Sequence, residues 1–395
     1  MIPPTEFPMR AAVLALLACA TLAAVPVRAE VMVVGLDTKF WFDDAGNRVF
    51  KANTGDAVLF YDLADPAHPA LVGSLPLENS VVGLPTNLAV TPDGHLALIA
   101  NSLRTEQGAD GVWKPVPDDK LYVVDLTARP PRLVSTVTVG AQPSGLGVSP
   151  DGSMALVANR AGKSVSVLSI QEEEVKVTAT VPMGDVVTSV AFTPDGKRAL
   201  VSKFAVHKVS VLAVEGGQVA PTGCDMLVGQ YPYTVTVTAD GRFGLAASDG
   251  EQAGSTGNTN PVAVIDLKAE PPRVVDFLAA GDGVEGVVAS PRGGYAAVTI
   301  LQGSLDAPEG AWYAHPVGRV VLLGVASAKV TLEGSVDVGA FPEGVAFSRD
   351  GEWVYSGNFA SHSISVLHLE GGRLVDTHAD VHLPGPPASL RVGSQ

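Results

Sequence analysis

Short apolar segments joined by turns of the Asp-Gly type recur through this chain at a nearly regular spacing. In the clearest unit, an apolar run at 188–192 leads into Thr193-Pro194-Asp195-Gly196, and two further apolar runs follow at 199–202 and 209–212. An Asp that bonds its own backbone and a Gly that tolerates positive φ suit a tight turn between antiparallel strands. Related turns, 44 to 58 residues apart, lie around Gly46, Gly94, Gly152, Gly241, Gly293 and Gly351.

The period and the content of each unit together predict the fold. Each unit holds about four short strands, labelled A to D here, within roughly 40–50 residues, which is typical of a β-propeller. Hydrophobic residues make up 46% of the 395 residues and charged residues 17%, so the chain can build a large core. We therefore predict an all-β, seven-bladed β-propeller of four-stranded blades, forming a single domain over residues 30–395.

The two ends of the chain predict how the ring closes. Segment 387–392 reads like a strand A with nothing after it, whereas 48–52, 57–61 and 70–75 read like strands B, C and D. Pairing of these N- and C-terminal strands in one blade would leave no free sheet edge. Segment 31–43 is harder to place, because it could instead supply strand A of that blade.

The first 29 residues read as an export signal. Met9-Arg10 gives a short basic start, 11–25 is apolar, and Val27-Arg28-Ala29 places small residues before a cleavage site at Glu30. A rival site at 16–19 would leave Cys19 as a lipid anchor, although Leu17 fits that pattern poorly. We predict a signal peptide over 1–29 and a periplasmic or secreted protein, with no later apolar run long enough to span a bilayer.

Charge and motif content argue against several function classes. The net charge of −15 repels phosphate backbones, so we expect no nucleic-acid partner. The mature chain keeps one cysteine, Cys224, which cannot form an internal disulfide. The glycine-rich segment 281–286 leads into a strand and not a helix, so it lacks the context of a dinucleotide site. The one His-x-x-x-His pair, His378 and His382, lies in a loop and outer-strand segment and not on a helix, and we expect neither a metal nor a cofactor.

Two stretches resemble a known repeat. Leu156-Val157-Ala158-Asn159 followed by Ser164-Val165-Ser166-Val167, and the Gly-Val-Ala-Phe-Ser-Arg-Asp-Gly segment at 344–351, resemble the YVTN-type repeats of bacterial exported propellers. That group merges into the lactonase-like propellers, which include bacterial 6-phosphogluconolactonase. The resemblance covers roughly residues 40–392. It implies the propeller fold and, as one candidate activity, lactone or ester hydrolysis.

Three long insertions indicate which face of the ring binds. They lie at 102–120, 249–261 and 301–319, each between strands B and C of a unit, and therefore at one end of the blades. Insertions confined to one face are typical of a binding face. The last of them brings Trp312 and His315 to its rim.

The register of the repeat places polar residues at the channel mouth on that face. Arg160 and Lys203 belong to one pair of consecutive blades, and Glu285 and Glu343 to another, so the mouth is polarised. The predicted catalytic candidates, taken from the starts of strands A and the ends of strands B, are Glu285, Glu343, Lys203 and Arg160. The predicted ligand-binding candidates are Asn87, Asn101, Tyr233, Asp249, Asn358, Trp312 and His315.

Two functions stay open. The main interpretation is an exported protein that binds a small polar molecule or a periplasmic protein partner on the loop-rich face. The alternative is a lactonase-type hydrolase, similar to 6-phosphogluconolactonase, in which Glu285 and Glu343 carry acid–base work. The basic cluster that a phosphosugar would need is thin, because Arg104, Arg160 and Lys203 are its only members.

Overall fold

The computed structural model describes residue 1 and residues 30–80, 82, 85–250 and 255–393. Every regular element in that part of the chain is a β-strand, and seven four-stranded antiparallel blades form a ring. The predicted seven-bladed propeller is thus confirmed. Among those residues no helix has the length and apolar composition that crossing a bilayer requires. The predicted signal peptide and Cys19 lie outside the described residues.

Blades 1 to 3 use the first half of the chain. Blade 1 contains β1 (Val31–Leu36), β4 (Ala57–Asp62) and β5 (Ala70–Leu75), and β2 (Phe40–Phe42) pairs with β3 (Arg48–Phe50) in a separate hairpin. Blade 2 contains β6 (Leu88–Val90), β7 (Leu96–Gln107), β8 (Trp113–Asp125) and β9 (Arg132–Thr138). Blade 3 contains β10 (Pro143–Val148), β11 (Met154–Asn159), β12 (Ser164–Gln171) and β13 (Glu174–Pro182).

Blades 4 to 7 repeat the same order. Blade 4 contains β14 (Val187–Phe192), β15 (Arg198–Lys203), β16 (Lys208–Glu215) and β17 (Gln218–Leu227). Blade 5 contains β18 (Pro232–Val237), β19 (Phe243–Ser248), β20 (Asn260–Asp266) and β21 (Arg273–Gly281). Blade 6 contains β22 (Val284–Ala289), β23 (Tyr295–Ile300), β24 (Arg319–Val325) and β25 (Val330–Asp337). Blade 7 contains β26 (Pro342–Phe347), β27 (Trp353–Asn358), β28 (Ser363–Glu370), β29 (Arg373–Asp376) and the short β30 (Val381–His382).

The turn between strands A and B is built by local side-chain bonds. In blade 4, Thr193 Oγ1 donates to Asp195 Oδ1 at 2.6 Å and accepts from the Arg198 amide at 3.1 Å. Gly196 closes the turn with φ +68°, a conformation that a side chain would strain. The residues that recur in the sequence are therefore the ones that make this turn, which explains why the repeat predicts the fold so directly.

The ring closes through blade 1. The C-terminal strand β31 (Pro387–Val392) is its innermost strand and pairs antiparallel with β1, with Val34 opposite Leu390. The predicted closure by N- and C-terminal strands is thus confirmed. The placement of 48–52 as strand B was wrong: Val31–Leu36 is strand B, because this run is buried throughout and pairs on both edges.

Residues 48–50 belong instead to an insertion. Arg48–Phe50 pairs with Phe40–Phe42, so Gly46 lies in a hairpin between strands B and C of blade 1 and not in a turn between A and B. The insertion at 102–120 is also a hairpin, because β7 and β8 continue their pairing as far as Gln107 and Trp113. Four insertions therefore lie on the B–C face: 37–56, 102–120, 249–259 and 301–318.

The core lies between blades. One cluster combines Leu245 and Val264 of blade 5 with Val287 and Val298 of blade 6, all buried. Because each sheet is covered on both faces by its neighbours, its strands read as nearly continuous apolar runs and not as a strict alternation. Packing of this kind holds the ends of the innermost strands around the channel, where the polar groups converge.

Candidate functional site

A cavity of about 360 Å³ opens at the channel mouth on the B–C face. Five residues that the register of the repeat predicts at the channel mouth line this cavity. These are Arg160, Tyr233, Asp249, Glu285 and Glu343. The rest of its lining comes from Phe40, Phe42, Arg48, Val82, Phe204 and Phe341.

Glu285 and Glu343 are the most buried charged residues of this cavity. Their side chains stand at the second position of β22 and β26, and the two residues are 6% and 3% exposed. Within the described residues, one carboxylate oxygen of each has no hydrogen-bond partner. Burial is the main cause that raises the pKa of both groups well above the usual range, and the neighbouring Glu343 charge adds to the shift of Glu285.

Asp249 is a third titratable carboxyl in the cavity. It directly follows β19, and its amide donates to the Tyr231 carbonyl at 3.1 Å. Burial, followed by the nearby Asp306 charge, raises its pKa to about 7. A carboxyl with this pKa exchanges its proton near neutral pH, which suits a general acid or base.

Asp306 connects two insertions near Asp249. It is 4% exposed, and its Oδ2 accepts from the Ser255 amide at 2.6 Å, which joins the 301–318 insertion to the 249–259 insertion. Asp282 supports the same segment, because its Oδ2 accepts from the Gly257 amide at 2.8 Å. These two side chains therefore position the loops at the mouth.

Two arginines supply positive charge. The Arg160 guanidinium lies 4.7 Å from the centre of the Phe204 ring, an arrangement that favours a fixed cation. Arg48 reaches the cavity from β3, and its charge partly opposes the rise in the pKa of Asp249, Glu285 and Glu343. Sequence reasoning missed Arg48, because it assigned residues 48–52 to a blade strand.

Phe40, Phe42 and Phe341 form an aromatic part of the cavity lining, called the aromatic wall below. Phe40 and Phe42 of β2 meet edge to face at 5.0 Å between ring centres, and Phe42 contacts Phe341 at 5.4 Å. The β2–β3 hairpin thus adds apolar surface to the cavity that the carboxyls line. The sequence carried a signal for this wall in Phe40-Trp41-Phe42, an unusually aromatic run for a chain with 6% aromatic residues.

Several predicted residues lie outside the lining of this cavity. Lys203 forms an ion pair with Asp225 at 3.3 Å. Trp312 is 83% exposed and packs edge-on against Tyr313, while His315 is exposed on the same insertion. The structure therefore places Trp312 and His315 on the outer rim.

The predicted asparagines bond within their own blades. Asn358 Nδ2 donates to Ser363 and Ser365 at 3.1 and 3.0 Å. Asn101 Nδ2 donates to Asp118 at 2.6 Å, and Asn87 Nδ2 donates to the Ala100 carbonyl at 3.0 Å. These amides hold strands together, so their donors are engaged before any ligand arrives.

Comparison with families and curated proteins returned no relative: no family model matches the chain, and no curated protein matches it.

Solved structures, in contrast, share the architecture. A protein from Bacteroides uniformis assigned as a 6-phosphogluconolactonase superposes with a TM-score of 0.69 at 16% identity, covering 92% of this chain and 99% of its own. The periplasmic gluconolactonase of Pseudomonas aeruginosa gives 0.61 at 20% identity, with 92% and 99% covered. Hydrazine synthase of Kuenenia stuttgartiensis gives 0.59 at 21%, with 80% and 91% covered.

These likenesses define the class of architecture. The chain is a seven-bladed propeller whose structural neighbours include lactonase-like propellers. At such low identity the likeness concerns the fold, and the activity has to be argued from the site.

Proposed function

We propose that the channel-mouth cavity binds a small, hydroxyl-rich molecule and that this binding is the main function of the loop-rich face. The observation that carries the proposal is the convergence of Glu285, Glu343 and Asp249 on one cavity, in which one carboxylate oxygen of Glu285 and one of Glu343 have no partner among the described residues. A buried polar atom without a hydrogen bond costs about 1–3 kcal/mol. A ligand that supplies those bonds recovers that energy on binding.

The lining favours a hydroxyl-rich ligand over a phosphorylated one. Its two arginines face three carboxyls, and each carboxyl that ionises would repel a phosphate group. Carboxyls with raised pKa values are partly protonated near neutral pH, and they can both donate to and accept from sugar hydroxyls. The aromatic wall offers flat apolar surface to the C–H faces of such a ring.

Lactone hydrolysis is the reaction that this arrangement supports best. Ionised Asp249 would take a proton from water as the water oxygen adds to the lactone carbonyl carbon. Arg48 or Arg160 would stabilise the resulting oxyanion. The ring C–O bond then breaks, and a protonated Glu285 or Glu343 gives its proton to the leaving oxygen, so the product is the open hydroxy acid. The structural neighbours assigned as lactonases support this choice.

A pH-stat assay with glucono-δ-lactone, with and without added divalent metal, tests the proposal on the purified mature chain. We expect turnover in the wild type and a loss of at least about 100-fold in Glu285→Gln/Glu343→Gln. The control is Glu352→Gln, because Glu352 is exposed and lies on the opposite face. Binding without turnover would refute the hydrolysis step and retain the binding site. No binding by calorimetry would refute both.

Export is a further part of the proposed function. Its support is the signal-like segment 1–29 together with the periplasmic gluconolactonase among the structural neighbours. N-terminal sequencing of the protein from a periplasmic fraction should begin at Glu30. A lipid-modified product beginning at Cys19 would favour the alternative cleavage, and an intact leader in the cytoplasm would contradict export.

A further inference from the structure

The channel contains a second cavity at the opposite end from the carboxyl site. Its volume is about 390 Å³, and it opens on the face that carries the A–B turns. Innermost strands of several blades line it with small and branched apolar side chains, including Val90, Leu146, Val190, Val235 and Val288. None of the residues of the channel-mouth site contributes to it.

The recurring turns form an apolar collar around this cavity. Its members are the second residues of five consecutive A–B turns, namely Pro92, Pro150, Pro194, Ala239 and Pro291. Neighbouring turns touch: a Cβ placed on Gly196 would lie 3.7 Å from Pro150 Cδ, and one on Gly241 would lie 3.3 Å from Pro194 Cδ. Proline suits this position of the turn in any case. Its repetition over consecutive blades additionally gives the cavity an apolar rim along that arc of the ring.

One charged residue interrupts this surface. Arg391 of β31 is the one titratable side chain among the described lining residues. Its Nη1 donates to the Val345 carbonyl at 3.3 Å, whereas a guanidinium has five N–H donors. No carboxylate of the described residues lies within ion-pair distance of it. Burial lowers its pKa to about 10, which still leaves it charged at neutral pH.

A single cation in an apolar cavity favours a ligand that combines an anionic group with a hydrocarbon chain. An organic carboxylate can accept two parallel hydrogen bonds from a guanidinium, and its hydrocarbon part gains by leaving water. A water molecule takes about 30 Å³ in the liquid, so the cavity has room for roughly a dozen non-hydrogen atoms. A straight-chain acid of about eight to ten carbons has that size.

We propose that this cavity is a binding site for an amphipathic monocarboxylate, with the carboxylate on Arg391 and the hydrocarbon chain between the innermost strands. The collar would then be the opening through which the ligand passes. The site is independent of the carboxyl cavity, and it does not depend on lactone hydrolysis.

Calorimetric titration of the mature chain with sodium octanoate at pH 7.5 tests the assignment. We expect saturable binding at one site per chain, and at least about tenfold weaker binding in Arg391→Met, which keeps an apolar side chain and removes the charge. Arg292→Met is the matched control, because Arg292 is exposed on a turn of the same face and outside the lining. Its affinity should equal that of the wild type.

Further variants keep the test decisive if Arg391→Met fails to fold. Arg391→Lys should bind more weakly than the wild type but more tightly than Arg391→Met, because it keeps the charge without the paired donors. Ala239→Trp changes an exposed collar residue, so the chain should fold while octanoate loses access. Three results would overturn the proposal: no saturable heat with the wild type, unchanged affinity in a folded Arg391→Met or Ala239→Trp protein, or equal affinity for 1-octanol, which lacks the anionic group.

Discussion

Glu285 and Glu343 occupy the same position in two consecutive blades, the second residue of the innermost strand, and each buries a carboxylate oxygen that has no hydrogen-bond partner among the described residues. Their pKa values are raised chiefly by burial. A raised pKa means that the folded chain holds these protons more tightly than the unfolded chain does. The stabilisation is present at acidic pH and is lost as pH rises above the unfolded value.

Glu285→Gln/Glu343→Gln should therefore unfold at a higher temperature than the wild type at pH 8, because an amide imitates the protonated carboxyl and carries no charge. At pH 4 the variant and the wild type should unfold alike. Thermal unfolding at both values measures this difference, with Glu352→Gln as the exposed control. A pH dependence equal to that of the wild type would show that these carboxyls ionise freely in the folded chain.

Asp249 should determine how lactone turnover decreases as the pH is lowered. Its pKa is raised to about 7 by burial and by Asp306, so a base at this position becomes active as pH rises through that value. We expect lactone turnover in the wild type to climb between pH 6 and 8 with a midpoint at about 7. Asp249→Asn should lower it by at least about 100-fold. A folded Asn variant that keeps the same rising limb would assign the base to another residue.

The closing strand should carry much of the stability. Leu390 is fully buried against blades 1 and 7, and replacing such a leucine with alanine costs about 2–5 kcal/mol. We expect Leu390→Ala to lower the melting temperature by roughly 5 °C or more, and deletion of 386–395 to lower it further. Leu332→Ala, at a position that is 46% exposed, is the control and should change little. A shift of less than a few degrees on deletion would contradict the interlocked blade.

The variant Trp312→Ala distinguishes binding of a small molecule from docking of a protein partner. The residue is 83% exposed and lies outside the cavity lining. Trp312→Ala should change the stability by less than about 0.5 kcal/mol and leave lactone binding intact. If a protein partner uses the loop-rich face, the same variant should weaken capture of that partner, because tryptophan is enriched among the few interface residues that carry most of the binding energy. Unfolding, calorimetry and a periplasmic pull-down compare the three effects.

The fold was accessible from the sequence because its signals are local. The Thr193 turn is built within six residues, and the same residues recur in other blades. Blade 1 was harder to predict. Its strand B is recognised as such only when the innermost strand beside it is known, and that strand, β31, lies at the far end of the chain. A short run such as 48–50 imitates a strand equally well when read locally.

The site was accessible only in part. Register placed Glu285, Glu343 and Asp249 at the mouth, but Arg48 and Phe42 arrive on a hairpin that folds over the channel from another blade. The aromatic run 40–42 is visible in the sequence, but nothing local shows that its hairpin folds over the channel. The role of Asn358 was readable, however: a serine follows five and seven residues later, as after Asn159, and this shared spacing is typical of a contact across neighbouring strands.

The pairing of β31 with β1 also makes the order of synthesis matter. Blade 1 is made first and yet lacks its innermost strand until residues 387–392 have been added. Strand β1 has partners on both edges only when β31 has been made. Until then β1, β4 and β5 form an incomplete sheet. A chain that lacks residues 387–392 has no innermost strand for blade 1, and its ring cannot close in the way described here.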